Sequence, residues 1–185
     1  MMSTRPSGQL FLVRHTPVMV AAGTCYGRTD VPLDDAKFAQ MLPSIHAQLP
    51  LHAVMLSSPL SRCLRLASAL HALAPGRSVV IETNLIEHDF GVWEGKFWDD
   101  IAREEIDAWA ADYLNYAPPN GESVAAMAAR SALTTLNHRR ADVPLIVVSH
   151  AGPLAAIAAR FGGTVLSANT RSQSQGAVVE LRQFP

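Results

Sequence analysis

Cysteine is scarce in this chain, with Cys25 and Cys63 the only two. They form no CxxC pair and cannot supply a disulfide framework, so both read as reduced thiols. Excess charge is missing as well. A total of 15 basic and 16 acidic residues leaves a net charge of -1. That removes the electrostatic case for nucleic acid or an anionic membrane as partner. No apolar run approaches the length of a membrane span. The stretch Met1 to Gly8 is polar and lacks the apolar core of a signal peptide. A soluble cytoplasmic protein is the expectation. There is no P-loop, no dinucleotide fingerprint and no G-x-S-x-G nucleophile elbow. Glu87-His88-Asp89 has no companion cluster of His and Asp at ligand spacing, so no metal and no cofactor are expected. Lysine is rare too: Lys37 and Lys96 leave thirteen of the 15 basic residues as arginine. Guanidinium forks match phosphate oxygens better than an ammonium does. In an alanine-rich chain compositional bias accounts for most of them. Arg14 and Arg62 stand out by position, and Arg28 less so.

What is present is an alternation of short apolar runs and helical patterns. Gln9–Val13, Ala53–Ser57, Val79–Glu82, Leu145–Ser149 and Ala177–Leu181 read as strands. Asp34–Gln48, Leu60–Leu73, Trp98–Tyr116, Glu122–Arg139 and Pro153–Phe161 read as helices. The second of these has Ser58 as its cap and Pro59 at its first helical position. The order predicts an α/β fold, a three-layer sandwich around a mostly parallel sheet. Its 185 residues fit a single domain, 1–185, with segment 90–121 as a small cap over the sheet edge.

Two of the strands end on histidine. Leu10-Phe11-Leu12-Val13 runs into Arg14-His15, and Leu145-Ile146-Val147-Val148 runs into Ser149-His150. Ligands of open α/β sheets bind beyond the carboxyl ends of parallel strands. If the two strands are neighbours, two imidazoles and a guanidinium meet there, a site suited to phosphate. Neutral imidazole is a competent nucleophile toward phosphorus, and Arg14 neutralises phosphoryl oxygens. Ser57-Ser58-Pro59-Leu60-Ser61-Arg62 adds a cation in the first turn of a helix, whose N-terminus favours anions. A positively charged His150 can hold a phosphate oxygen. Glu87, Asp89 and Glu94 are candidates for the proton donor to a leaving oxygen.

These blocks, in this order, resemble the histidine phosphatase superfamily, also called the phosphoglycerate mutase-like family. The resemblance runs roughly from Gln9 to Leu181. It is carried by Leu12-Val13-Arg14-His15, Ser57-Ser58-Pro59-Leu60-Ser61-Arg62, Leu85-Ile86-Glu87, Phe90-Gly91-Val92-Trp93-Glu94-Gly95, Gly121-Glu122-Ser123 and Val148-Ser149-His150-Ala151-Gly152. It implies a phosphoglycerate mutase-like fold and a metal-independent phosphomonoesterase. His15 would form a phosphohistidine. Arg14, Arg62 and His150 would bind the transferring phosphate. Glu87 would protonate the leaving group and then activate water. One position departs from the family, which has Gly after the nucleophile where this chain has Thr16. Its hydroxyl either donates to phosphate or narrows the pocket. Arg14-His15-Thr16-Pro17-Val18 and Gly23-Thr24-Cys25-Tyr26-Gly27-Arg28-Thr29-Asp30-Val31-Pro32-Leu33 look like the alpha-ribazole phosphatase-like branch of cobalamin nucleotide-loop assembly. That places Arg28 beside Thr16 as a substrate-binding residue and makes the partner a small phosphorylated molecule. The chain lacks room for the additions associated with mutases, which favours hydrolysis over phosphotransfer. A phospholigand-binding module without turnover is the alternative from another class. Monomer and homo-oligomer are equally compatible with the sequence.

Seven of the twelve aromatic residues lie between Phe90 and Tyr116, all three tryptophans among them. Trp98, Ile101, Ile106, Trp109 and Tyr113 fall near one helical face. Two readings follow. The rings pack the segment onto the sheet, or Trp98 and its neighbours wall a flat leaving group such as a nucleoside base. Asp99, Asp100, Glu104 and Asp107 are expected to face solvent.

Overall fold

A computed structural model describes residues 8–163, 165–167 and 173–184. The polar stretch ahead of Gly8 lies outside the described residues. Five strands form one sheet: β1 (Gly8–Arg14), β2 (Ala53–Ser57), β3 (Arg77–Ile81), β4 (Leu145–Ser149) and β5 (Val178–Phe184). Their order is β3-β2-β4-β1-β5. The first four are parallel, and β5 pairs antiparallel with β1. The two histidine-bearing strands are therefore neighbours, with Arg14 opposite Ser149.

The described residues form five α-helices: α1 (Asp35–Ala47), α2 (Ser61–Leu73), α3 (Arg103–Ala111), α4 (Val124–Asn137) and α5 (Ala151–Gly162). The pleat sorts the strand residues between two cores. Phe11, Val13, Met55, Ile146 and Val148 face Phe38 and Ile45 of α1 and Cys63, Leu66 and Leu70 of α2. Leu10, Leu12, Leu56, Leu145 and Val147 face Leu154 and Ile157 of α5. Each fully buried aliphatic side chain of this kind contributes about 1.5–3 kcal/mol. With helices on both faces the central strands can be buried throughout, as β4 is.

Two helix assignments need correction. Ser58 does not cap α2. Its cap position is Leu60, and the first-turn Ser61 instead bonds the Asp30 carboxylate through its amide at 3.1 Å and its hydroxyl at 2.8 Å. Ser58 stays in extended chain, where its hydroxyl serves His150. Nor is Trp98–Tyr116 one helix. A 3-10 turn covers Trp98–Asp100, Ile101 and Ala102 are extended, and α3 spans only nine residues. Trp98 stacks on Trp109, centroids 6.1 Å apart and planes at 18°. A continuous helix would separate two residues eleven apart by roughly 16 Å along its axis. The ring stack requires the break.

Segment 91–116 lays these rings around the fully buried Trp93, with Phe90, Trp98, Trp109 and Tyr116 packed about it. Asp99, Asp100, Glu104 and Asp107 are exposed on the outside.

Candidate active site

His15 follows β1 directly, and its amide bonds the Ser149 carbonyl of β4 at 3.1 Å. His150 follows β4. The two imidazoles lie 5.3 Å apart, centroid to centroid. His15 Nδ1 sits 2.8 Å from the Thr16 carbonyl. A carbonyl only accepts, so Nδ1 carries the proton and Nε2 keeps its lone pair. His15 is 1% exposed. Burial pushes its pKa down to about 3, against the Thr16 bond, with Arg62 and Arg14 adding to the fall. The side chain is a neutral imidazole in the tautomer a nucleophile needs.

His150 is also neutral, which corrects the expectation of a charged imidazole. Arg62 Nε donates to its Nδ1 at 3.2 Å, so Nδ1 is unprotonated. Its Nε2 donates to Ser58 Oγ at 2.7 Å. Burial first, then the Arg62 charge, hold its pKa well below the ordinary value.

Arg62 is fully buried. Its Nη1 and Nη2 donate to the carbonyls of Thr29 and Gly27, both at 2.8 Å, and its guanidinium lies 5.3 Å from the Tyr26 ring centroid. Three of its five N–H groups are thus spent on positioning. Gly27 has φ +33°, and a Cβ there would meet Glu94 Oε1 at 2.4 Å. Only glycine lets this loop pass so close to Glu94. Arg14 donates from Nη1 to the Gln173 carbonyl at 2.7 Å. Arg14 Nε and Thr16 Oγ1 are buried without a hydrogen-bond partner among the described residues. Both flank His15.

The three candidate acids are not equivalent. Glu94 accepts from the amides of Arg28 and Thr29, both at 2.8 Å, and from that of Phe90 at 3.2 Å. It organises the loop that holds Arg62. Asp89 accepts from the Gly91 amide at 2.9 Å and pairs with Arg28 at 2.8 Å. Arg28 is therefore committed to a surface ion pair rather than to His15. Glu87 uses one oxygen, Oε1, on the amides of His88 at 2.9 Å and Gly152 at 3.1 Å. The second bond ties it to the first turn of α5, two residues after His150. A Cβ at Gly152 would meet Glu87 Oε1 at 2.6 Å, so glycine permits the approach.

Glu87 also opens onto a cavity of about 230 Å³. Phe90, Trp98, Trp109, Tyr113, Val124 and Met127 line it, with His88 and Gly152. Among the described residues no arginine or lysine does. Trp98 takes both positions considered for it, in the ring cluster and on the cavity wall. A larger groove of about 610 Å³ between α4 and α5 is apolar and touches none of these groups.

Cys25 and Cys63 are free and buried. Cys63 Sγ lies 3.5 Å from His150 Nε2, and burial pushes its thiol pKa up. Burial and the Glu94 charge push that of Cys25 up to about 12. Neither is a thiolate nucleophile. Sequence reasoning missed Ser58 as the partner of His150, Asp30 as the external cap of α2, and Arg130, set aside as compositional but bonded to the Glu87 loop. No group of three or more His, Cys, Asp or Glu among the described residues is placed to hold a metal ion. No helix there is long and apolar enough to cross a membrane.

The chain is similar to known proteins in sequence and in fold. An adenosylcobalamin/alpha-ribazole phosphatase of Salmonella typhimurium is 30% identical, over 83% of this chain and 79% of its own. A candidate alpha-ribazole-5′-P phosphatase of Escherichia coli K-12 superposes with TM-score 0.80 at 26% identity, covering 94% of this chain and 89% of its own. A mycobacterial glucosyl-3-phosphoglycerate phosphatase shares the fold, with TM-score 0.79 at 23% identity over 94% of this chain and 89% of its own. The family model of the histidine phosphatase superfamily (branch 1) matches residues 10–183. With that match over nearly all its length, the chain belongs to the histidine phosphatase superfamily and is an enzyme of that phosphatase family.

Proposed function

We propose that the protein is a metal-independent phosphomonoesterase that passes the phosphate of a small, nucleoside-like ester through His15 to water. The observation that carries the reading is the His15 tautomer: its Nδ1 is tied to the Thr16 carbonyl, leaving the Nε2 lone pair for phosphorus. In the first step that lone pair attacks phosphorus and the bond to the leaving oxygen breaks. The Glu87 carboxyl gives its proton to that oxygen. In the second step water attacks the phosphohistidine, Glu87 takes the water proton, and the P–N bond breaks to release phosphate. Phosphoryl transfer depends chiefly on positioning and on charge stabilisation. Arg62 has two N–H groups to spare for the phosphoryl oxygens, and Arg14 Nε is another buried donor.

The cavity beside Glu87 favours a neutral, flat leaving group. Its walls are aromatic rings, and among the described residues its one charged lining residue is a carboxylate. A leaving group with a second anion, such as a phosphoglycerate, would meet repulsion there and no cation among the described residues. Alpha-ribazole 5′-phosphate, the ester for which the Escherichia coli protein is named, suits such a cavity. The same absence of a second cation weighs against a mutase. The cytoplasm is the setting of this reading.

Rapid quench with labelled substrate tests it. An acid-labile, alkali-stable phosphoenzyme is expected in the natural protein and none in His15→Ala. Full labelling of His15→Ala would end the assignment. Phosphate release over a panel of nucleotides, ribazole phosphate, sugar phosphates, phosphoglycerates and phosphopeptides then names the substrate.

A further inference from the structure

Arg130 lies on α4, away from the phosphate-binding ends of β1 and β4, yet its guanidinium is only 18% exposed. Arginine has five N–H donors. Here all five are used on one target region. Nη1 donates to the carbonyls of Asn84 at 2.7 Å and Ile86 at 2.8 Å. Nη2 donates to the carbonyl of Glu87 itself at 3.1 Å and to Glu122 Oε1 at 2.5 Å. Nε completes the fork on Glu122 Oε2 at 3.0 Å. Glu122 in turn takes the Asp89 amide on Oε1 at 3.1 Å, and its carbonyl accepts from His88 Nε2 at 2.7 Å. The segment 84–89 is thus held from both sides by one ion pair, and Glu87 sits in its middle.

A surface salt bridge is worth little, but this one is half-buried and bidentate, and its arginine bonds the carbonyls of Asn84, Ile86 and Glu87. A short 3-10 turn over Thr83–Leu85 ends just before Glu87, which has no helix or strand of its own to fix it. We infer that the Arg130–Glu122 pair is a positioning device for the general acid, fixing the loop so that the second carboxyl oxygen of Glu87 meets the leaving oxygen. The inference rests on the role given to Glu87 above. Arg130 hydrogen-bonds only to the 84–87 carbonyls and Glu122, so the pair acts through contact on the leaving-group side, and its reach to the phosphate side is limited to a minor charge effect on His150.

The test compares Arg130→Lys, Glu122→Gln and Glu87→Gln on two esters, an alkyl phosphate and nitrophenyl phosphate. Lysine keeps the charge but cannot serve five acceptors. A nitrophenolate hardly needs a proton on departure, whereas an alkoxide does. Arg130→Lys is expected to lower kcat/KM on the alkyl ester by about ten-fold more than on the nitrophenyl ester, the order of loss for a displaced catalytic group. Inhibition by inorganic phosphate should stay as in the natural enzyme, and amide exchange over residues 84–89 should speed up. If Arg130→Lys fails to fold, Glu122→Gln, which keeps the side chain's shape, carries the same comparison. Equal losses on both esters, or weaker phosphate inhibition in step with the loss, refute the positioning role. If Glu87→Gln itself shows no leaving-group dependence, the acid assignment falls and this inference with it. If Glu87→Gln shows it and the Arg130 and Glu122 variants do not, only the positioning role is refuted.

Discussion

Protonating His15 is the perturbation the site is built to resist. A free imidazole with pKa 6.5 is about 76% neutral at pH 7 and about 3% neutral at pH 5, a fall of roughly 25-fold in nucleophile. With the pKa held down to about 3 by burial, His15 stays almost wholly neutral over the same range. The difference from the ordinary value corresponds to about 5 kcal/mol. It also appears in stability. Between pH 6.5 and pH 3 the unfolded chain binds a proton at His15 that the folded protein refuses. Stability therefore falls as pH drops below 6.5 and reaches its full loss below about 3. From pH 7 to pH 4.5 the loss through this one residue is about 2.5 kcal/mol. His150 adds to it in the same direction. Histidine-labelled protein, with resonances assigned through His15→Gln and His150→Gln, should show His15 neutral and protonated on Nδ1 down to pH 4. Denaturant unfolding should show the natural protein losing about 2.5 kcal/mol more than His15→Gln between pH 7 and 4.5. A His15 midpoint near 6.5, or parallel losses in the two proteins, would refute the reasoning.

Chelation followed by dialysis should leave activity intact, because the cations of the site are guanidinium groups. Loss restored by one divalent ion in a metal-add-back assay would contradict this. Trp98→Ala should slow turnover of a nucleoside phosphate more than that of a small aryl phosphate, since Trp98 lines the cavity beside Glu87. It should also cost roughly 2 kcal/mol in denaturant unfolding, about half of what a fully buried ring costs. Equal slowing on both esters would leave Trp98 with a packing role alone.

The strands and both histidines were legible because a buried parallel strand is a local event in sequence, four apolar residues followed by a polar one. Leu12-Val13-Arg14-His15 and Val147-Val148-Ser149-His150 need only adjacency to make a site, and the right-handed α/β order supplies it. What misled was local chemistry answered from a distance. Ser58-Pro59 looks like a helix start, but the first turn of α2 is satisfied by Asp30, thirty-one residues away. The stripe from Trp98 to Tyr113 has helical spacing, yet the helix is interrupted at Ile101-Ala102, which lets Trp98 stack on Trp109. The tautomer of His150 is set by an Arg62 nitrogen that no spacing rule places there, and its charge is suppressed first by burial. Arg130 was invisible among thirteen arginines. Its only local signal was Gly121-Glu122-Ser123, a block whose carboxylate required a buried partner.

The two halves of the site have different origins, and that difference orders the argument about substrate. The phosphate half is made by the ends of β1 and β4 and the first turn of α2, elements fixed by the core of the sheet. Its polar groups are held by backbone carbonyls: Thr16 for His15, Gly27 and Thr29 for Arg62, Gln173 for Arg14. These contacts set tautomer and orientation, and the Thr16 bond also partly offsets the fall that burial imposes on the His15 pKa. The leaving-group half is made by the 84–116 segment, which pairs with no strand of the sheet and is closed by its own rings. On the proposed mechanism, a substitution in the first half changes whether phosphorus is attacked at all, and a substitution in the second changes which alcohol departs. Among the described residues the second half presents rings and a carboxylate and no cation, so on that mechanism the choice it makes is against a second negative charge.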